Sequence, residues 1–207
     1  MIQLAAWCLA FWAAVLRYGG HPRPYRFTGG LVLGAFFAHV GWILLHWHIA
    51  TRNSVGILDL ATDFTSGFTV LFFPLGMVLL LPTAAAIRPL PVALAVARLG
   101  CLAGGCCGGT VAPWGGTHPA PLYEIAGLVA LHCLVRRLGD RWVLPAFLVV
   151  FGSVRLAVQP WRAMSPLVTP AIDPEWIAAC WVVIGAAWAI QVVLKGDGYL
   201  AYGTQAT

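Results

Sequence analysis

Long apolar segments separated by short polar connections constrain this chain more than any other feature. Sixty per cent of the 207 residues are hydrophobic and nine per cent are charged, whereas a soluble domain carries about a quarter charged residues. A helix needs about 20 mostly apolar residues to cross a bilayer. The pattern therefore predicts an all-α integral membrane protein and excludes an ordinary soluble domain.

About seven apolar runs approach spanning length, and they place residues 1–207 in a single polytopic membrane domain. The runs cover approximately residues 1–16, 29–49, 67–81, 84–99, 122–135, 142–158 and 176–194. The third and fourth could be partly re-entrant, since Pro89 and Pro91 interrupt the fourth. The first run lacks a basic leader region and an A-x-A cleavage site, so we interpret it as a membrane helix rather than a removable signal peptide.

Basic residues between the runs predict the orientation of the chain, because cytoplasmic loops are enriched in Lys and Arg. One alternating set of connections holds most of them: Arg17, Arg23, Arg26, Arg88, Arg136, Arg137, Arg141 and Lys195. The opposite set holds Arg52, Arg162 and most of the acidic residues. We therefore expect the N-terminus outside and the C-terminus in the cytoplasm. The net charge of +5 reflects this orientation. The sequence has no Lys/Arg-rich run with interleaved aromatic residues, so we predict no nucleic-acid partner.

The segment RLGCLAGGCCGGTVAPWGGTHPAPLYE, Arg98 to Glu124, concentrates polar chemistry between two apolar runs. Ionisable residues in membrane segments usually mark functional sites. Arg98 and Arg155 lie at the predicted outer ends of their runs, where one interpretation is that each reaches for the headgroup layer. With Glu124 and Arg162 nearby, the set also suits a phosphate headgroup, because a guanidinium matches phosphate oxygens.

Three cysteines in this segment, Cys101, Cys106 and Cys107, allow more than one interpretation. A zinc site needs about four ligands, and C-x4-C-C supplies three, with His118 as a fourth candidate. Adjacent cysteines have poor geometry for pairing with each other, although a disulfide on the outer face stays open. We predict no metal at these cysteines.

Three histidines cluster on the second run. His39 and His46 are seven positions apart and share a helix face, so they could bind a haem or metal or supply a base. The favoured interpretation is that His46 and His48 lie in the interfacial belt beside tryptophans. His39 lies deeper in the run.

Two motifs resemble the prolipoprotein diacylglyceryl transferase family. RLGCLAGGCCGG followed by HPAPLYE resembles R-x-G-C-F-x-x-G-C-C-Y-G and H-P-x-Q-L-Y-E, and VRLAVQPWR resembles R-F-x-x-E-x-x-R. The resemblance implies transfer of a diacylglyceryl group from phosphatidylglycerol to the cysteine thiol in the lipobox signal peptide of a prolipoprotein. It also implies the bacterial plasma (inner) membrane, a site toward the outer leaflet and no cofactor.

Matched position by position, the resemblance assigns two sets of site residues. The catalytic set is Arg98, Arg162, His118 and Glu124. The substrate-binding set is Gly100, Cys101, Gly109, Tyr123 and Arg155. In this assignment Arg98 contacts the phosphatidylglycerol headgroup, the two glycines allow close backbone approach to the ligand, and Glu124 orients an arginine.

The chain departs from the family pattern at several positions. A H-G-G-L-x-G motif on the third span is replaced by SGFTVLFFPLGM, which has no histidine. Gln159 stands for the glutamate of the later motif, and Pro121 and Gly108 replace a glutamine and an aromatic. His39 and His118 are then the candidate bases. The alternatives are a related transferase with another acceptor, or an inactive member serving as a lipid-binding or structural subunit of a larger membrane complex.

Overall fold

The fold is predominantly helical in the part of the chain that the computed structural model describes, residues 24–53, 72–80, 83–103, 108–163 and 174–195, and residues 108–119 form an irregular connection. Its helices are α1 (Pro24–Asn53), α2 (Phe73–Leu80), α3 (Ala84–Ile87), α4 (Leu90–Ala103), α5 (Ala120–Arg137), α6 (Asp140–Val158) and α7 (Pro174–Lys195). A 3-10 turn, Gln159–Trp161, follows α6. Among these residues the β structure is limited to two isolated bridges. The predicted all-α class is confirmed for this part of the chain.

Four described segments are long and apolar enough to cross a membrane. They are Phe27–Leu45, Ala84–Ala103, Asp140–Trp161 and Glu175–Lys195, and each coincides with a predicted run. Helix α5 is outside this set and carries Glu124 near its start and two arginines at its end. The predicted run 1–16 and most of the run 67–81 lie outside the described residues, so the count of seven and the orientation stay predictions.

The predicted run 84–99 contains a break. The Thr83 side chain caps α3 by accepting a hydrogen bond from the Ala86 N–H at 3.4 Å. Pro89 has no N–H to continue the ladder, and α4 begins at the next residue. The interruption that the prolines predicted is therefore present, and the two helices together form one candidate span.

Arg88 lies in this break and joins three helices at one end of the bundle. Its Nε and Nη2 donate to the carbonyl oxygens of Val135, at 3.2 Å, and Leu138, at 2.9 Å, where α5 ends. The last carbonyls of a helix have no partner within the helix. Nη2 also lies 2.8 Å from Asp140 Oδ1 at the start of α6. Arg88 thus fixes the start of the α3–α4 pair against the α5–α6 connection.

Neighbouring helices pack closely where glycines face them. A Cβ on Gly76 of α2 would lie 2.3 Å from the Gly34 nitrogen of α1, so these two backbones touch, as small residues allow in membrane bundles. Helix α4 packs on α5, α5 on α6, and α6 on α7. Because α4, α5 and α6 alternate in direction, the end of α4, the start of α5 and the end of α6 meet at one end.

Candidate functional site

Four charged side chains converge at that end of the bundle. Glu124 Oε1 accepts hydrogen bonds from Arg155 Nη1 at 2.5 Å and Arg162 Nη1 at 2.6 Å. Glu124 Oε2 pairs with Arg98 Nε. The Glu124 side chain is 5% exposed, and the arginine side chains are 10–19% exposed. We call these four residues the arginine cluster.

The arginine cluster carries more positive than negative charge. Three guanidinium groups and one carboxylate sum to 3 − 1 = +2 within the described part of the chain. A guanidinium has five N–H donors, whereas a carboxylate accepts about four hydrogen bonds. Because buried charge is costly without a partner, the arrangement favours the binding of an anion.

A backbone bridge brings Arg162 to the cluster. Gly109, in the connection between α4 and α5, forms an antiparallel bridge with Arg162. Beside it, the Thr110 N–H donates to the Trp161 carbonyl at 3.0 Å. Arg162 therefore follows α6 but is held in place by the α4–α5 connection.

Gly109 has a local structural reason to be glycine. A Cβ at this position would lie 1.9 Å from the His118 carbonyl oxygen, closer than any real contact. The His118 N–H also donates to the Thr110 carbonyl at 2.9 Å. The close backbone approach at Gly109 is thus made by the connection itself, and an approach to substrate at this residue stays a prediction.

Aromatic side chains form a second group next to the arginine cluster. His118 Nδ1 lies 3.1 Å from the Tyr123 hydroxyl, and the His118 ring is stacked with Trp161 at a centroid separation of 6.0 Å. Trp114 contacts the His118 ring edge-on at 4.9 Å. Tyr123 directly precedes Glu124 in the chain, and Trp161 directly precedes Arg162, so both groups are built on the same segments.

A cavity of about 500 Å³ lies between α5 and α6. Its lining is His118, Tyr123, Ala126, Gly127, Val154, Ala157, Val158 and Trp161. The small residues on the facing helices leave the space open, and the polar atoms of His118 and Tyr123 mark the end closest in sequence to the arginine cluster. The cavity can hold an apolar group between α5 and α6, with His118 and Tyr123 as polar lining residues.

The structure brings most of the predicted site residues together. Arg98, Glu124, Arg155 and Arg162 form the arginine cluster, and His118 and Tyr123 form the adjoining aromatic group. Cys101 Sγ lies 3.7 Å from Arg98 Nη1, and Gly100 is buried in α4. Cys106 and Cys107 lie outside the described residues. His39 is buried in α1, whereas the side chains of His46 and His48 lie outside the described part.

Sequence reasoning missed Trp161 and the small residues that open the cavity. Trp161 lies inside the VRLAVQPWR motif, so its place between two singled-out positions was a usable signal. Ala126, Gly127 and Ala157 carry no chemical signal of their own. Their role becomes visible only when α5 and α6 are placed side by side.

The fold and the arginine cluster define a helical membrane protein with a buried cationic site at one end of its bundle. A comparison with protein-family models finds a match to the family described as prolipoprotein diacylglyceryl transferase, over residues 27–192. The match covers most of the 207 residues and includes every residue of the cluster. The chain belongs to the prolipoprotein diacylglyceryl transferase family. A comparison with curated proteins finds no match.

Proposed function

We propose that the protein transfers a diacylglyceryl group from phosphatidylglycerol to the cysteine thiol of a prolipoprotein signal peptide, in the bacterial plasma membrane. The sulfur bonds to the glyceryl carbon, and the bond from that carbon to the phosphate oxygen breaks. Glycerol phosphate leaves with the electron pair. Family membership supports the reaction class, and the observation that carries the proposal is the buried cluster with a net charge of +2.

In this proposal the arginine cluster stabilises the leaving phosphate. Negative charge grows on the phosphate oxygens as the carbon–oxygen bond breaks, and cations already in position stabilise such charge most effectively. Arg98, Arg155 and Arg162 supply these cations. Glu124 acts through them, because its two oxygens hold three guanidinium groups that would otherwise repel one another.

The proposal assigns the thiol proton to His118. A thiolate is the nucleophilic form of cysteine, so the proton must pass to a base, and histidine is the most frequent general base in enzymes. The contact between His118 Nδ1 and the Tyr123 hydroxyl at 3.1 Å orients the ring. His118 lies two positions before the start of α5, the helix that carries Glu124.

The cavity between α5 and α6 supports entry of a lipid substrate from the side. Most of its lining is apolar, and Ala126 and Ala157 are exposed on the outer surface of the helices. A lipid whose phosphate reaches the arginine cluster could place its acyl chains against this apolar lining. The reaction itself requires no cofactor.

The test is release of glycerol phosphate by the purified protein in nanodiscs that contain phosphatidylglycerol and a lipobox peptide. We expect release that requires the peptide cysteine and is lowered by about 10²–10³ in Arg98→Ala and in Arg162→Ala. Arg137→Ala is the matched control, since Arg137 is exposed in the last turn of α5. A serine peptide that supports equal release would contradict thioether formation.

A second candidate function is that of an inactive family member, which binds lipid or serves as a structural subunit of a larger membrane complex. Two sequence features favour it: Gln159 in place of an acidic residue, and the absence of histidine from residues 66–77. The same experiment separates the two. Folded protein that retains phosphatidylglycerol but releases no glycerol phosphate, with the lipobox peptide or with a small thiol as acceptor, would establish the second candidate.

A further inference from the structure

The charge of the arginine cluster exceeds what a phosphodiester can neutralise. A phosphodiester carries one negative charge, so the described residues of the cluster, at +2, would keep a net charge of +1 with such a headgroup bound. A phosphomonoester carries about −1.5 to −2 at neutral pH. Because uncompensated buried charge is costly, the monoester is the better match.

Two buried polar atoms, one of them in the cluster, indicate what else the ligand offers. Arg155 Nε and Gln159 Oε1 are buried, and neither has a hydrogen-bond partner within the described residues. Gln159 is 7% exposed and follows Arg155 by four positions, so the two lie on the same face of the α6 end. Buried polar atoms are almost always satisfied. Together they offer a donor for an anionic oxygen and an acceptor for a hydroxyl group.

Gln159 adds no charge to the site. Its side chain is neutral, so it leaves the +2 charge of the cluster undiminished at a buried position one helical turn from Arg155. An acidic residue there would lower the sum to +1, the charge that suits a monoanion. A charge at position 159 would therefore change which class of phosphate suits the cluster.

We infer that the arginine cluster binds a dianionic phosphomonoester in preference to a monoanionic phosphodiester, and that Gln159 is the residue that determines this preference. The inference rests on the proposed function and deepens it. The donor lipid in that function is a diester, and glycerol phosphate is a monoester. The site then holds its leaving group more tightly than its donor headgroup, and release of glycerol phosphate limits turnover.

The test is direct binding of soluble phosphates to the purified protein in a neutral detergent. Inorganic phosphate and glycerol phosphate are compared with dimethyl phosphate, a diester monoanion, at pH 8 and at pH 5. We expect inorganic phosphate and glycerol phosphate each to bind about tenfold or more tightly than dimethyl phosphate at pH 8. The advantage should be lost at pH 5, below the second ionisation of phosphate near 6. Equal binding of the two classes at pH 8 would overturn the inference.

Two variants separate charge from shape at position 159. Gln159→Glu adds a negative charge and should remove most of the roughly tenfold preference for the monoester. Gln159→Met keeps the size and the neutral charge and should retain it. If both variants lose the preference equally, the side chain acts through its hydrogen bond or its packing, and the charge argument fails. The wild-type comparison decides the question even where a variant does not fold.

A second binding measurement, with lipid, distinguishes a lipid headgroup from a free phosphomonoester as the ligand. Nanodiscs with phosphatidic acid present the monoester on a lipid, and glycerol phosphate competes as the soluble form. Effective competition identifies the free leaving group as the ligand, whereas retention of phosphatidic acid identifies a lipid headgroup. Binding of neither phosphate class would overturn this inference and the proposed function together. Transferase turnover without a monoester preference would overturn this inference alone.

Discussion

Arg162 Nη1 donates a hydrogen bond to Glu124 Oε1 across 2.6 Å, although 38 positions of the chain separate the two residues. The same oxygen accepts from Arg155 at 2.5 Å. The Glu124 carboxylate therefore links three arginine side chains from different parts of the chain. The contact depends on two elements, the start of α5 and the bridge between Gly109 and Arg162, and each can be tested separately.

Removal of the Glu124 charge should destabilise the protein strongly. Glu124→Gln leaves three buried guanidinium groups without their carboxylate, and breaking a buried ion pair in this way costs about 3–5 kcal/mol. Thermal unfolding in detergent measures the loss. The matched control is Asp140→Asn, whose carboxylate is 77% exposed, where about 1 kcal/mol or less is expected. Equal losses in the two variants would contradict a special role for Glu124.

Replacement of Arg162 should separate its charge from its geometry. Arg162→Ala should lower the rate of glycerol phosphate release by about 10²–10³, the usual cost of removing one donor that stabilises developing charge. Arg162→Lys keeps the charge but loses the planar fork, so we expect partial recovery. The rate is measured at saturating lipid, with Arg137→Ala as the control. A lysine variant as inactive as the alanine variant would show that charge alone contributes little.

The bridge that places Arg162 should be sensitive to a single methyl group. Gly109→Ala puts a Cβ 1.9 Å from the His118 carbonyl, so the connection must move away and Arg162 with it. We expect lower stability and loss of anion binding. Gly108→Ala is the control, because a Cβ there meets nothing described within 4 Å. Should Gly109→Ala bind anions normally, Arg162 would be positioned by something other than this bridge.

His118 should contribute to rate more than to lipid binding. His118→Ala removes the proposed base, and general-base catalysis contributes about 10²–10⁴ in rate. Tyr123→Phe removes only the hydroxyl that contacts His118 Nδ1 and should have a smaller effect of the same kind. Trp176→Phe, at an exposed position in the first turn of α7, is the control. A His118→Ala enzyme with full activity would move the search for the base to His39.

The cavity between α5 and α6 should accept lipid chain. Ala126→Phe fills it from an exposed position in its lining and should raise the KM for long-chain phosphatidylglycerol more than for a short-chain analogue. Ala130→Phe adds the same side chain to another exposed position of α5, one turn further along and outside the lining. If the two variants behave alike, the cavity is not used by the donor lipid.

The sequence predicted the helices and the charged residues better than their connections. The runs 122–135 and 142–158 match α5 and α6 to within two residues at each end, because a long apolar run bounded by polar residues favours a helix. Arg98, Glu124, Arg155 and Arg162 stood out because charge is rare in such segments. The contact of the three arginines with the Glu124 carboxylate depends on how the helices pack. Local sequence patterns do not specify that packing.

Other features could not be predicted for definite physical reasons. The bridge between Gly109 and Arg162 joins two irregular segments, and irregular segments lack the periodicity that identifies helices. In the sequence, Arg88 indicated only the orientation of the chain, together with seven other basic residues. Its contacts with the Val135 and Leu138 carbonyls become evident only once the end of α5 lies beside the break before α4.

The contacts of Arg88 have a mechanical consequence for the opposite end of the bundle. A slide of one helix past another by one turn, about 5.4 Å, would break the Arg88 contacts and the arginine cluster at once. A tilt that keeps the Arg88 end fixed breaks only the cluster. Because the Arg88 contacts hold one end of α4, α5 and α6 together, a separation of the helix ends that carry Glu124 and Arg155 can leave the Arg88 end in place only if the helices tilt rather than slide.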